Sequence, residues 1–164
     1  MSYEEEKLQL AIELRKDKRL EESNRLLVEL TRANPQNAYL NYQCAWSFDC
    51  LGEEAKAVSY YEKAIQGKLA AVDLENAYVG LGSTLRALGE YEKSKDIFHE
   101  ALGRFPDHQA LHIFYAMTLY NVNEYQTAME ILLKCIATTS SDQTIQNYKR
   151  AIHFYSDKLD ETWK

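Results

Sequence analysis

Large apolar residues and small residues alternate along this chain at spacings of three and four positions. Such spacings place residues on one face of an α-helix. The clearest stretch runs from Ala77 to Pro106, where two short amphipathic segments flank the dipeptide Gly89-Glu90. The pattern therefore predicts two helices joined by a tight turn.

Three further copies of this pattern align with it through their turns. The turns begin at Lys18, Gly52, Gly89 and Asn123, which are 34, 37 and 34 residues apart. Small residues stand seven positions before and five positions after each turn, namely Ala11, Ala45, Gly82, Ala116, Ser23, Ala57, Ser94 and Ala128. Large residues stand four before and nine after it, namely Leu14, Phe48, Leu85, Leu119, Leu27, Tyr61, Phe98 and Leu132. Each copy is predicted to be a helix-turn-helix that buries its apolar face by stacking on its neighbours.

This pattern resembles the tetratricopeptide repeat, which has a period of about 34 residues. The resemblance rests in the third copy on Leu81-Gly82, Tyr91, Ser94, Phe98, Ala101 and Pro106, and in the fourth on Tyr115-Ala116, Tyr125, Ala128, Leu132 and Cys135. The first copy lacks the turn glycine but keeps Leu10-Ala11, Leu14 and Pro35. The whole chain also resembles a small stand-alone bacterial group, tetratricopeptide repeat group 5 of Gram-positive species. The resemblance implies an all-α fold, a right-handed α-solenoid of about four units with a C-terminal capping helix.

We expect a single domain over residues 1–164. Its units are predicted at about 4–37, 38–74, 75–108 and 109–142, followed by a capping helix at about 142–160. Asn37, Asp73, Asp107 and Asp142 are predicted N-caps. Gly67 is expected to end a helix in the left-handed conformation.

Two features leave alternatives open. The segment 67–73 adds three residues to the period. It either lengthens the flanking helices or forms an extra turn, and it is either a bend or a tolerated surface insertion. Trp163 lies one helical turn beyond Leu159, the last residue of the apolar stripe of the capping helix, and either continues the packing or is exposed.

In the family that the chain resembles, the first helix of each unit lines a concave groove. The residues predicted to face this groove and bind a partner protein are Tyr39, Tyr42, Trp46, Asp49, Asn76, Ser83, Arg86, Met117, Tyr120 and Asn121. The first unit would add Glu5, Leu8, Ile12 and Arg15. Tyr, Trp, Met and Arg are enriched where proteins bind each other. Alternatively, Tyr39, Tyr42 and Trp46 pack between neighbouring units.

One known ligand of the family is not expected here. Carboxylate-clamp members hold a peptide C-terminus with lysine, asparagine and arginine side chains. In this chain Leu8 and Ile12 occupy the first-unit positions of that clamp. A C-terminal chaperone tail is therefore not the predicted ligand.

Composition narrows the partner class. The chain carries 19 basic and 25 acidic residues, a formal net charge of −6, which argues against a nucleic-acid surface. No apolar run approaches the roughly 20 residues that span a bilayer, and the acidic first residues do not resemble a secretory leader. We therefore expect a cytoplasmic protein with three buried cysteines, Cys44, Cys50 and Cys135.

Catalytic chemistry is not indicated. His108 and His112 have the spacing of a two-histidine metal site, but no nearby carboxylate motif completes it. We expect no metal, no cofactor and no enzymatic activity. The predicted function is a protein–protein interaction module that binds a peptide or helical segment of a partner. The alternative is a scaffold that self-associates as a homo-oligomer through a terminal face near Trp163.

Overall fold

The computed structural model describes residues 3–164, so Met1 and Ser2 of the predicted domain lie outside the described residues. Ten helices and no strand occur in this range, which confirms the all-α class. The helices are α1 (Tyr3–Lys16), α2 (Leu20–Ala33), α3 (Ala38–Cys50), α4 (Glu54–Gln66), α5 (Ala71–Ala87), α6 (Tyr91–Arg104), α7 (Gln109–Asn121), α8 (Tyr125–Thr139), α9 (Gln143–Asn147) and α10 (Lys149–Tyr155).

The four aligned turn positions share one backbone conformation. Lys18, Gly52, Gly89 and Asn123 have φ of 64°, 70°, 79° and 65°, and no other described residue has a positive φ. This left-handed region suits glycine and is tolerated by asparagine, whereas a lysine enters it against a steric cost. The turn alignment read from the sequence is therefore reproduced in the backbone.

The helices group into two compact units that divide between Gly89 and Glu90. In the first unit α1 packs on α2, α2 on α3, α3 on α4, and α4 and α3 on α5. In the second unit α6 packs on α7, α7 on α8, and α10 on α8 and α9. The division falls inside the third predicted repeat, between its two helices.

The predicted small residues lie in the core. All eight are buried, and the Ser23 hydroxyl donates to the Ala11 carbonyl oxygen at 2.6 Å, linking the two small positions of the first hairpin. In the second unit the Ser94 and Thr118 hydroxyls are 2.9 Å apart. Among the large residues of the alignment, Leu14, Phe48, Leu85, Leu119, Leu27, Tyr61 and Phe98 are buried and Leu132 is half-buried.

The start of α5 differs from the prediction. The helix begins at Ala71 with Ala70 as its N-cap, so Asp73 lies within the first turn and is not the cap. The three extra residues are thus partly absorbed by a longer helix of 17 residues. Gly67 is also not left-handed; its φ of −96° and ψ of −169° are extended. Glycine fits there for another reason, because a Cβ would lie 2.6 Å from the Cβ of Ala38.

The start of α7 also differs. His108, not Asp107, is the N-cap, and its Nδ1 accepts from the Leu111 amide at 3.2 Å. His112 Nε2 lies 2.7 Å from the Pro106 carbonyl oxygen. Both histidines therefore contact the backbone around the helix start. The other two predicted caps are confirmed, because Asn37 accepts from the Leu40 amide and Asp142 from the Thr144 and Ile145 amides.

The predicted final helix is broken at Tyr148 into α9 and α10 and ends at Tyr155. The Gln146 side chain donates to the carbonyl oxygens of Ala137 and Ser140, which ties α9 to the end of α8. Trp163 combines the two alternatives left open. It is 59% exposed, yet its ring contacts those of Phe154 and Tyr155 at centroid distances of 6.2 and 5.4 Å.

Candidate ligand-binding groove of the first unit

Two open pockets in the first unit share Trp46 in their lining. The larger, about 590 Å³, is lined by residues of α1, α2, α3 and α5 and of the α1–α2 turn. The smaller, about 440 Å³, is lined by residues of α3, α4 and α5. Tyr42, Trp46, Cys50 and Asn76 line both. We call the two pockets together the Trp46 groove.

Three aromatic residues of α3 form one wall of this groove. Tyr39, Tyr42 and Trp46 are spaced by three and four residues, which puts them on one helix face. The ring centroids of Tyr39 and Tyr42 are 6.3 Å apart, and those of Tyr42 and Trp46 are 6.1 Å apart at an interplanar angle of 25°. Tyr42 is buried and Tyr39 half-buried, whereas Trp46 is 42% exposed. Tyr42 thus packs inside the unit, while Trp46 presents part of its ring to the groove.

Arg15 holds Trp46 from the side of α1. Its guanidinium carbon lies 3.8 Å from the centroid of the Trp46 ring, and the side chain is only 8% exposed. Arg15 Nη2 donates to Gln43 Oε1 at 2.5 Å and Nη1 donates to the Gln43 carbonyl oxygen at 3.3 Å. Burial lowers the pKa of Arg15, because the charged guanidinium has lost much of its hydration.

Asp49 forms the floor of the smaller pocket and joins three helices. Its carboxylate accepts from the Tyr61 hydroxyl of α4 at 2.7 Å and from the Thr84 hydroxyl of α5 at 3.0 Å. Burial raises the pKa of Asp49 above its ordinary range, although both hydrogen bonds oppose the rise. Burial likewise raises the pKa of Tyr61. These hydrogen bonds connect α3, α4 and α5 through one polar cluster at the floor of the pocket.

The structure brings together five of the ten predicted binding residues. Tyr39, Tyr42, Trp46, Asp49 and Asn76 line the Trp46 groove. Ser83 and Arg86 lie further along α5, are half-buried, and do not line either pocket.

The other three predicted residues lie on α7 of the second unit. Met117 and Tyr120 are exposed and Asn121 is half-buried. The Tyr120 ring meets that of Tyr125 edge to face, with centroids 5.0 Å apart.

The predicted site omitted several residues that shape the groove. Arg15 was expected to face the groove from the first unit but was not included among the binding residues. The repeat alignment indicated Arg15 as a binding residue. It stands three residues before its turn, the position that the predicted binding residues Asp49, Arg86 and Tyr120 occupy in the other repeats. Gln43 and Thr84 are buried and occupy positions that the sequence pattern does not distinguish from core.

The cysteines differ from one another. Cys44 and Cys135 are buried as predicted, and burial raises the pKa of Cys44 to about 11. Cys50 is only half-buried and lines both pockets, which corrects the expectation for this thiol. Burial also raises the pKa of Cys50.

Metal-ligating clusters and membrane-spanning helices are both absent from residues 3–164. No group of three or more His, Cys, Asp and Glu side chains in this range is arranged to hold a metal ion. Likewise, none of the helices described there has the length and apolar character needed to span a bilayer.

The chain is similar to known proteins in sequence and in structure. A family model described as "Tetratrico peptide repeat" matches residues 38–159. Superkiller protein 3 of Saccharomyces cerevisiae is 28% identical over 108 residues, which are 62% of this chain and 7% of that protein. The chain thus spans a small fraction of the length of this relative.

The similar solved structures are helical-repeat proteins at low sequence identity. YrrB, described as "a TPR protein with an unusual peptide-binding site", has a TM-score of 0.70 and 17% identity, covering 85% of this chain and 71% of its own. A MamA structure from MSR-1 has a TM-score of 0.69 and 22% identity, covering 79% and 72%. A MamA double mutant from RS-1 has a TM-score of 0.74 and 14% identity, covering 98% and 89%. These likenesses concern the fold alone.

Proposed function

Because the chain belongs to the tetratricopeptide repeat family, we propose that it is a non-enzymatic interaction module that binds a peptide or helical segment of a partner protein in the Trp46 groove. One observation carries this proposal. Trp46 is an exposed tryptophan that contacts both Tyr42 and Arg15 and lines two open pockets.

The energetics of recognition support this role for Trp46. Tryptophan is among the residues that dominate binding energy at protein interfaces. A ring already fixed by its neighbours loses little conformational entropy when a ligand covers it. The side-chain amide of Asn76 stands at the same surface and can bond a peptide backbone. The description of YrrB as a protein with a peptide-binding site is consistent with this use of the fold.

The remaining predicted residues enter the proposal as secondary surfaces. Ser83 and Arg86 would extend the binding face along α5, and Met117, Tyr120 and Asn121 would form a contact surface on α7. The proposed partner is a protein rather than a nucleic acid or a membrane, in keeping with the net charge of −6. The role requires no cofactor.

Replacing Trp46 with alanine tests the proposal. Peptides are selected on the wild-type protein from a displayed library of random sequences, and their affinities are measured by calorimetry. We expect Trp46→Ala to weaken binding by about 10-fold or more, since it removes a central aromatic anchor. The matched control is Trp163→Ala, which removes the other exposed tryptophan and should leave affinity unchanged. Equal affinities for wild type and a folded Trp46→Ala protein would reject the groove.

A second function is favoured by a specific surface. Phe154, Tyr155 and Trp163 form an aromatic cluster in the second unit whose members are 53%, 47% and 59% exposed. Exposed apolar clusters of this kind often mark sites of association. Self-association through this cluster would make the protein a scaffold.

Sedimentation equilibrium over a wide range of protein concentration tests the scaffold. A self-associating chain gives an average mass that rises with concentration, and the double variant Phe154→Ser with Trp163→Ser should abolish the rise. A monomer at every concentration is incompatible with this function.

A further inference from the structure

Arg15 is a buried cation whose partners are all neutral. Its guanidinium contacts the Trp46 ring and the side-chain and main-chain oxygens of Gln43. Within residues 3–164 no carboxylate pairs with it. Other cations of the first unit do have such partners, namely Lys7 with Glu29, Arg19 with Glu22, and Lys56 with Glu53. A buried charge without a counter-charge is costly, so Arg15 has the most to gain from an anion that enters the groove.

The surroundings of Arg15 add positive charge in a chain that is acidic overall. The larger pocket is lined by Arg15, Lys16 and Lys18 and by one carboxylate, that of Asp73. Lys16 and Lys18 are exposed and lie toward the solvent side. This local excess of cations contrasts with the net charge of −6 and favours an anionic group at this end of the groove.

The shape of the guanidinium narrows the anion further. Arginine has five N–H donors in a planar fork that matches the two oxygens of a carboxylate. Two of these donors go to Gln43, and the guanidinium carbon lies 3.8 Å from the centroid of the Trp46 ring. The remaining donors suit a carboxylate that approaches along the edge of the plane. The apolar walls around it, Tyr39, Ile12 and Leu20, suit an apolar neighbour of that carboxylate.

The groove continues past Trp46 into the second pocket. The ligand carboxylate at Arg15 can be a side chain or the C-terminus of the peptide. The second pocket leads to the Asp49 carboxylate, whose hydrogen-bond donors are both hydroxyl groups. A peptide that crosses Trp46 has residues on both sides, and Asp49 disfavours a second acidic group at its far end. The peptide then offers Arg15 either a side-chain carboxylate or, if the chain ends there, its C-terminus, and blocked and free peptide ends distinguish the two.

We infer that the Trp46 groove recognises an Asp or Glu side chain of an internal peptide segment, placed on Arg15, with an apolar residue beside it. This inference rests on the proposed function and names the chemistry of its ligand. The contact is a charge-assisted, edge-on pair whose two charges are both shielded from water once the peptide covers Arg15.

Selection from two displayed peptide libraries tests the inference. One library presents random sequences with a blocked C-terminus, and the other presents random sequences ending in a free carboxylate. We expect the first library to yield peptides enriched in Asp or Glu next to an apolar residue. For one such peptide, replacing Glu by Gln should weaken binding to the wild-type protein by about 10-fold or more. This measurement uses only the wild-type protein, so its result does not depend on whether a variant folds.

Variants of Arg15 then locate the contact. Arg15→Gln should reduce the loss caused by the peptide Glu→Gln change to less than about 2-fold, because the two substitutions remove the same pair. Arg15→Lys should retain part of the loss, since it keeps the charge without the fork. The control is Arg25→Gln, an exposed arginine of α2 outside the groove, which should leave the full loss in place.

The outcomes separate this inference from the proposed function. Peptides that depend on Trp46 but show no acidic preference would overturn the inference and leave the proposed function standing. Selection only from the library with free carboxylates would also overturn it, in favour of a C-terminal ligand. Failure to select any peptide on the wild-type protein would contradict both.

Discussion

Lys18 occupies the turn position that glycine holds in the second and third repeats, and it adopts the same left-handed backbone with φ of 64°. A side chain in this region contacts its own backbone carbonyl, at a cost of about 1–2 kcal/mol. Glycine avoids that cost but has more freedom to lose when the chain folds. Position 18 thus carries lysine where glycine would be sterically more favourable.

Lys18→Gly is therefore expected to stabilise the protein by about 0.5–1 kcal/mol, raising Tm by about 2 °C. Thermal unfolding followed by circular dichroism measures the shift. Asn123→Gly is the matched comparison, because asparagine already tolerates this conformation and should gain less. A Lys18→Gly protein that melts at or below the wild-type temperature would show that the strain is relieved elsewhere.

The helix N-caps show how far single residues can be predicted from the sequence. Asn37 and Asp142 cap their helices as predicted, since each stands directly before an apolar helical pattern. Asp107 and Asp73 were equally good cap residues by type. His108 replaced Asp107 because an imidazole nitrogen can accept the same amide bond, and α5 started before Asp73 because the extra residues continued the helix. Competing caps of similar free energy cannot be ranked from residue type alone.

Between elements, α4 and α5 approach closely at Gly80. A Cβ built on Gly80 would lie 2.5 Å from the hydroxyl oxygen of Tyr61 and 2.6 Å from its Cε1 atom. Tyr61 has little room to move, because it is 2% exposed and donates to Asp49. The glycine therefore allows Tyr61 to reach the floor of the Trp46 groove.

Gly80→Ala is expected to destabilise the protein by about 1–3 kcal/mol, since overpacking outweighs the better helix propensity of alanine. Gly103→Ala in α6 is the matched control. Nothing lies within 4 Å of a Cβ at Gly103, so this change should stabilise by up to about 1 kcal/mol. Urea unfolding of both variants measures the sign of each change in the free energy of unfolding. A neutral Gly80→Ala would mean that Tyr61 can shift without cost.

The element bounds were predictable where the repeat is regular. Helices α1, α2, α4 and α6 flank the aligned turns as the repeat predicts, because their apolar and small positions are complete. The break at Tyr148 was not predictable, because the apolar stripe of the last segment continues through it. It accompanies the hydrogen bonds from Gln146 back to Ala137 and Ser140 at the end of α8, which the apolar periodicity does not encode.

The aromatic wall of the groove was likewise predictable, and so was the presence of Arg15 at the groove, but the contact between Arg15 and Trp46 was not. Tyr39, Tyr42 and Trp46 follow from helical spacing alone. The position of Arg15 over the Trp46 ring depends on how α1 packs relative to α3, which is a tertiary property. The position of Arg15 within the repeat indicated that its side chain faces the groove, but not that it is buried.

At the scale of the whole molecule, each compact unit contains one of the two tryptophans, Trp46 in the first and Trp163 in the second. Repeats interact mainly with their nearest neighbours, so a local change need not be felt equally along the chain. The single-tryptophan variants Trp163→Phe and Trp46→Phe allow the unfolding of each unit to be followed by fluorescence.

Leu119→Ala is expected to destabilise the second unit by about 2–5 kcal/mol, because Leu119 is fully buried in its core. The unfolding midpoint reported by Trp163 should fall further than the midpoint reported by Trp46. Leu27→Ala, which removes a fully buried leucine from the first unit, should give the opposite order. Identical shifts at both tryptophans would show that the chain unfolds as one cooperative body.

The half-buried thiol of Cys50 is a group in the groove that can form a disulfide with small molecules. It lines both pockets of the Trp46 groove, while Cys44 and Cys135 are buried. Small disulfide-bearing fragments would be retained at Cys50 in proportion to how well they fill the adjoining space. A fragment screen by reversible tethering would thus chart which chemical groups each pocket prefers, independently of the natural ligand.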